Sequence, residues 1–230
     1  MVPLLSPAPA LPTSCTSLKV ISVFSHLASS DDPSQDAFSN EQYSIFLQAV
    51  ASLEKYISYQ FLKHIANSAA IVRHKQMQMD MVRLGIGLYG VEIETHLLPL
   101  QTVATLRSTI AQIKQLKAGE TVSYNRRGIV KEDATIATVR IGYADGYSRR
   151  FGNGIGKMWL KGKIVPVVGT VCMDMTMVNI TGIPNVKEGD GIMVFGKELP
   201  VQKIAGWIDT IPYEIMTSIS QRVKRVYFQE

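Results

Sequence analysis

Two glycine-flanked segments carry side chains that a buried strand would not ordinarily use. They are Gly169-Thr-Val-Cys-Met-Asp174 and, upstream of it, Ile141-Gly-Tyr-Ala-Asp-Gly-Tyr147. Each sets polar, aromatic or sulfur groups beside glycines, where the backbone turns tightly or approaches something closely. Taken alone, Cys172 is a small buried hydrophobe. It lacks the Cys or His companions at zinc-ligand spacing, so no metal site is expected. Tyr143, and Tyr124 in Thr121-Val-Ser-Tyr-Asn125, read plainly as half-buried strand tyrosines. To act as a base, Tyr124 needs its pKa of ~10 lowered by nearby cationic charge.

A second set of residues is suited to holding an anion. Arg83 lies in Met81-Val-Arg-Leu-Gly-Ile-Gly87, followed by backbone N–H groups at Gly85 and Ile86 that can hold a phosphate. An isolated match reads as a surface arginine before a loop glycine. Ala66-Asn-Ser-Ala-Ala70 alters that reading, because it ends a predicted strand and opens a helix with the Ser68 hydroxyl at the junction. Two such turns at neighbouring strand ends point to one phosphorylated ligand. His26, closing the first predicted strand, is either a satisfied core histidine or a group at the same strand tips.

The elements needed to position these residues fall into two blocks. Leu18 to Ser25 is a β-branched run fit for a buried strand. A polar loop, Asp31 to Asn40, precedes a helical apolar pattern from Asn40 through Tyr59, with Asn40 as N-cap. Phe61–Ala66 and Met81–Ile86 are predicted as second and third strands, with a short helix Ser68–Lys75 between them. Strands alternating with helices imply a parallel sheet with ligands at the C-terminal strand ends. Beyond Pro99 the pattern becomes strands separated by turn signals: Thr102–Ile113, Ala134–Ile141, Lys157–Leu160, Ile164–Val168, Met175–Ile180 and Gly191–Phe195. A closing helix is expected at Pro200–Trp207 or around Glu214–Ile219. The domains expected are an unstructured or non-native segment 1–17, an α/β part 18–97 and a mostly β part 98–230.

Composition sets wide bounds. The chain has 230 residues, 46% hydrophobic and 19% charged, enough for one large core or two smaller ones. No apolar run approaches the ~18 residues of a membrane span, so no membrane partner is expected. Two cysteines, Cys15 and Cys172, argue for a reducing compartment rather than a disulfide framework. A net charge of +5 is spread over scattered clusters, which are more often a solvated face, or a site for small anionic molecules, than a nucleic-acid groove. The stretch Met1 to Leu18 is uncharged and proline-rich, without the basic region and continuous apolar core of a secretory signal.

Assembled in order, these segments resemble the alanine racemase family of pyridoxal-phosphate enzymes. The matches are His64–Ala70, Met81–Gly90, Ala118–Tyr124, Ile141–Tyr147, Val167–Asp174 and Tyr213–Ser220. The resemblance implies a fold class of α/β plus all-β: the C-terminal part of a (β/α)8 TIM barrel followed by the family's C-terminal β-domain. It implies pyridoxal 5'-phosphate as cofactor, alanine as substrate, and a cytoplasmic homodimer that supplies D-alanine for peptidoglycan. Arg83 would face the pyridine nitrogen with His26 behind it, and Ser68, Gly85, Ile86 and Tyr213 would hold the phosphate, with Asn67 beside them. Tyr124 would be one of two catalytic bases, presented to the partner subunit's site. Tyr143, Cys172 and Met173 would line the substrate pocket, Met173 through its backbone N–H.

The family's other base is the Schiff-base lysine, within a Lys-Ala-(Asn/Asp)-Ala-Tyr-Gly type motif that these 230 residues do not contain. The chain is therefore expected to be a fragment, inactive alone. Asn125 and Thr170 also depart from the usual glycine and arginine. The alternative reading is a non-catalytic binder of pyridoxal phosphate or another phosphorylated ligand; a third, a basic β-domain binding nucleic acid through Tyr124–Arg127 and Tyr147–Phe151, leaves the other motifs unexplained.

Overall fold

In the computed structural model, which describes residues 17–91 and 98–228, the first β-branched run is a strand only over Ser22–Phe24 (β1). It pairs in parallel with Leu62–His64 (β2), in the register Ser22 to Leu62 and Phe24 to His64. The expectation of a buried strand from Leu18 is corrected, because Leu18 and Ile21 are largely exposed and β2 is the one strand paired with β1 among the described residues.

The helix between them, Asp36–Glu54 (α1), starts earlier than Asn40 and ends before Tyr59. Asp32 accepts the Ser34 N–H and starts a short 3-10 turn with Pro33 at its first position. Proline has its φ already fixed for a helical turn, so the chain enters α1 directly and Asn40 lies inside it. Phe46 and Val50 are buried, and Tyr43 and Leu53 pack beside them against Leu27, Phe61, Ile65 and Met77. Burying a side chain such as Phe46 contributes about 2 kcal/mol.

After β2 comes Ser68–Arg73 (α2), capped by Asn67, whose Oδ1 accepts the Ala70 N–H at 3.0 Å. The predicted third strand at Met81–Ile86 does not form. Asp80 N–H reaches Lys63 O and Arg83 N–H reaches Ala66 O, but the Lys63 N–H is taken by the Asp80 carboxylate. That side-chain bond interrupts the ladder, and the segment runs extended beside β2 without strand pairing.

The described residues divide into two compact units, 17–88 with 98–100 and 89–91 with 101–228. The segment expected to be unstructured, 1–17, lies outside the described residues except for Ser17, and the boundary at 97 adjoins residues that also lie outside them.

The second unit is built on an antiparallel sheet. Its strands are Leu106–Leu116 (β3), Ala134–Val139 (β6), Lys157–Leu160 (β7), Lys163–Pro166 (β8), Thr176–Asn179 (β9) and Gly191–Phe195 (β10), and a separate hairpin is formed by Thr121–Val122 (β4) and Gly128–Ile129 (β5). The sheet order is β8-β7-β10-β3-β6-β9. Val168 N–H donates to Met177 O at 2.8 Å and Val167 bridges Val178, so the sheet's two edges meet and it rolls toward a barrel. Lys161 and Gly162, both at positive φ, form the two-residue turn joining β7 to β8. Both closing helices form, Val201–Trp207 (α3) and Pro212–Thr217 (α4), where the sequence offered one or the other.

Candidate active site

Arg83 is held at the C-terminal ends of β1 and β2. Its Nη2 donates to Ser25 O at 2.7 Å and Ile65 O at 3.2 Å, and its Nη1 donates to His64 O at 3.3 Å. Nη1 also lies 2.8 Å from His64 Nδ1, and Nη2 lies 3.3 Å from His26 Nδ1. A guanidinium only donates, so both imidazole Nδ1 atoms must accept, and both rings carry their proton on Nε2 when neutral. The guanidinium also sits 5.4 Å from the Phe24 ring, which stacks on His64. Burial, and then the Arg83 charge, push the His64 pKa down. Burial alone lowers that of Arg83, which stays protonated in any case.

His26 is thus beside Arg83, exposed, as expected. His64 was missed as an individual site residue although it makes the shorter contact and is buried. Its place as the last residue of β2 was the available signal, since that register sets it opposite Phe24.

Ser68 opens α2 and meets the Arg83–Gly87 turn. Its Oγ accepts the Gly85 N–H at 2.9 Å and lies 3.5 Å from the Gly87 N–H. The Gly85 N–H, expected to be free for a phosphate, is therefore occupied by Ser68. Ile86 is buried, leaving its side chain no part in a surface site. Because Ser68 Oγ accepts from the backbone, its own O–H is directed to another acceptor, which suits an anion. Asn67 Oδ1 accepts from Ser30 Oγ at 2.8 Å as well as capping α2, so it orients the Ser68 turn. Ser68 and Gly85 are joined by a hydrogen bond, and the Arg83 backbone N–H donates to Ala66 O at 2.9 Å, two residues before Ser68.

The second unit brings together Tyr124, Tyr143, Cys172 and Met173. Tyr143 N–H donates to Cys172 O and Ala144 N–H to Met173 O, both at 3.0 Å, so the two motif segments are bonded edge to edge. Gly142 is required at this approach: a Cβ there would lie 2.3 Å from the carbonyl oxygens of Cys172 and Met173. Tyr124 stands 70% exposed on the turn between β4 and β5, where Ser123, Asn125 and Arg126 all have positive φ. Ser123 fixes that turn, donating its hydroxyl to Thr170 O at 2.8 Å and accepting the Thr170 N–H at 2.9 Å. Ser123 was not singled out from the sequence, and a serine between Val and Tyr carries no distinguishing signal. Met173 and Tyr143 are exposed, while Cys172 is partly buried against Val130, Ala134, Ile136 and Met177. Tyr143, with Ser148, Arg150, Ile208, Glu214 and Ser218, walls a cavity of about 260 Å³. Tyr213 lies exposed at the start of α4 in this unit.

The first unit therefore carries a fixed guanidinium and a serine hydroxyl, and the second carries an exposed phenol and two turns bonded to each other. Residues 8–93 match the family model described as alanine racemase, N-terminal domain, and residues 103–227 match that described as alanine racemase, C-terminal domain. The chain belongs to the alanine racemase family. It is 38% identical over 215 residues to alanine racemase 1 of Caldanaerobacter subterraneus, covering 90% of this chain and 55% of that protein. Among solved structures, alanine racemase of Clostridium difficile is similar with a TM-score of 0.85 at 34% identity, covering 94% of this chain and 57% of the other. Alanine racemase of Bartonella henselae, solved with covalently bound pyridoxal phosphate, is similar with a TM-score of 0.81 at 32% identity, covering 90% and 56%.

The chain spans about half the length of the curated relatives it matches. The fold class stands as expected. β1-α1-β2 is a parallel unit of the (β/α)8 barrel type, and the second unit is the family's β-domain. No helix among the described residues is long and apolar enough to cross a membrane.

Proposed function

We propose that this chain contributes to the active site of a pyridoxal-phosphate-dependent alanine racemase, an isomerase acting between L- and D-alanine. Two observations carry the reading: the Arg83 guanidinium is fixed at the ends of β1 and β2, and the Ser68 hydroxyl, at the turn after β2, has an oxygen that already accepts backbone N–H groups. This donor set fits the cofactor, a cation for a ring nitrogen and a hydroxyl for a phosphate. When bound, pyridoxal phosphate supplies the electron sink that acidifies the substrate's α-carbon.

The chain's own residues take the following parts. Arg83, held by three carbonyls and two imidazoles, donates a hydrogen bond to the pyridine nitrogen without giving up a proton. Ser68 donates its O–H to the phosphate, assisted by Tyr213 and the Ile86 backbone N–H, while Gly85 serves by holding the Ser68 oxygen and Asn67 keeps the serine in place. Tyr124 moves a proton at its phenolic oxygen on one face of the α-carbon; inverting the centre needs a second base on the other face. The Met173 N–H binds the substrate carboxylate, and Tyr143 and Cys172 limit the pocket to a small side chain. Tyr124 acts on a partner subunit's cofactor, which makes the working unit a cytoplasmic homodimer, and its D-alanine feeds peptidoglycan synthesis. The boundary between the two domains in the sequence falls near residue 97.

The test is binding first and turnover second. The full chain is titrated with pyridoxal phosphate by equilibrium dialysis, and Ser68→Ala and Arg83→Gln are each expected to weaken binding by about tenfold, the loss of a charge-assisted hydrogen bond. The chain is then mixed with a polypeptide carrying the lysine-bearing half of a family barrel, and D-alanine is measured. Turnover that Tyr124→Phe abolishes without loss of binding supports the reading. Saturable binding with no turnover favours the non-catalytic binder, and racemisation by the chain alone refutes its dependence on the lysine-bearing half.

A further inference from the structure

Arg222 makes a bridge that the chemistry above does not use. Its Nε donates to Asp145 Oδ1 at 2.7 Å and its Nη2 donates to Asp174 Oδ1 at 2.6 Å. One aspartate belongs to the segment that carries Tyr143, the other to the segment that carries Cys172 and Met173. Asp145 is further tied down: its Oδ2 accepts the Gly142 N–H at 2.9 Å and its backbone oxygen accepts the Ser220 N–H at 3.0 Å. Arg225 donates to Ile219 O, Ser220 O and Val223 O, which shapes the turn from which Arg222 reaches out. The two carboxylates raise the pKa of Arg222 through their hydrogen bonds, Asp145 first. A planar guanidinium can serve two carboxylates at once in fixed directions, whereas an ammonium offers one nitrogen. Without it, two like charges would face each other across the joined turns.

We propose that Arg222 is a positioning residue that clasps the Tyr143–Asp145 and Cys172–Asp174 turns together and so sets where Tyr143 and the Met173 N–H stand. Its consequence for an amino-acid carboxylate rests on the proposed function, but the clasp can be tested without cofactor or substrate. Cys172 supplies the reporter. It is partly buried under its turn, its Sγ lying 3.6 Å from Thr170 O, so loosening of the turn should speed its reaction with a thiol reagent.

In the full chain with Cys15→Ser, the rate at which Cys172 reacts with an aromatic disulfide is measured well below the melting temperature. Arg222→Gln is expected to react about fivefold faster, the scale of a lost exposed ion-pair network, and Arg222→Lys to fall between it and the native rate. Raising the salt to ~1 M should speed the native protein and leave Arg222→Gln unchanged. A purely structural role would lower the melting temperature and leave this local rate alone. A native reaction rate in Arg222→Gln, or a native rate indifferent to salt, overturns the proposal. If Arg222→Gln does not fold, the native salt series decides. Failure here leaves the pyridoxal-phosphate reading intact, and failure of cofactor binding leaves the clasp intact.

Discussion

Replacing Arg83 by glutamine should loosen the strand ends of the first unit before it does anything else. The guanidinium satisfies the carbonyls of Ser25, His64 and Ile65 together with the Nδ1 atoms of His64 and His26. A buried acceptor that loses its donor costs about 1–3 kcal/mol, and less where water can enter. Arg83 is only half-buried, so water replaces part of the loss and a net cost of about 2 kcal/mol is expected. That corresponds to about thirtyfold in a local opening equilibrium. Tryptophan fluorescence will not report it, because Trp159 and Trp207 both lie in the second unit. The suitable assay is backbone hydrogen exchange of the amides in Ser22–Phe24 and Leu62–His64, read by mass spectrometry on the native chain, Arg83→Lys and Arg83→Gln. The lysine variant should fall between the other two, since one ammonium cannot serve five acceptors in fixed directions. Native exchange rates at these amides in Arg83→Gln would refute the idea that the guanidinium holds the strand tips, and with it the idea of a preset cation for the pyridine nitrogen.

Three further outcomes follow from the same geometry. Gly142→Ala forces the Cys172 and Met173 carbonyls away from a new Cβ and should cost about 3 kcal/mol, seen as a lower urea midpoint of the tryptophan signal; no change would mean the two turns are not held in contact. Ser123→Ala removes both hydrogen bonds to Thr170 and should cost about 1–2 kcal/mol in the same measurement, with Ser123→Gly recovering only the part due to positive φ. Acid should weaken the first unit. His64 and His74 both have pKa values pushed down, in each case by burial first, so the unfolded chain binds their protons more readily. Their contribution is complete above about pH 6.5 and is lost as the pH falls below it toward their folded-state values. Hydrogen exchange of the same strand amides between pH 7.5 and pH 5, corrected for intrinsic rates, should show this decline, and replacing both histidines by asparagine should flatten it.

Much of this protein could be read from one dimension. Short apolar and β-branched runs between turn signals located the β6, β7, β9 and β10 strands to within about two residues, because strands of a small sheet are bounded by turns that need Gly or Asn at positive φ. The Asn-Ser junction and the Arg-Leu-Gly-Ile-Gly turn could be paired for a similar reason, since hydroxyls and glycines collect where backbone donors are met, and there Ser68 accepts the Gly85 N–H. The start of α1 was misread because Asp32 and Pro33 open a 3-10 turn that leads into the helix, and Asn40 looks like a cap only if that turn is overlooked. The third strand was misread because its apolar pattern is right while a side chain, Asp80, takes the main-chain donor that the ladder needs.

What the sequence by itself determined was which residue types are present and which local shapes the backbone can take. Only the tertiary structure decided which partners those residues meet. Arg83 finds Ser25 and His64, Ser123 finds Thr170, and Arg222 finds Asp145 and Asp174. Nothing local marks such pairs, because their atoms come together only when strands are laid side by side and the distant turns between them are brought within hydrogen-bond reach. Local propensity acts over a few residues, while a hydrogen bond acts over about 3 Å of space whatever the length of chain between its ends.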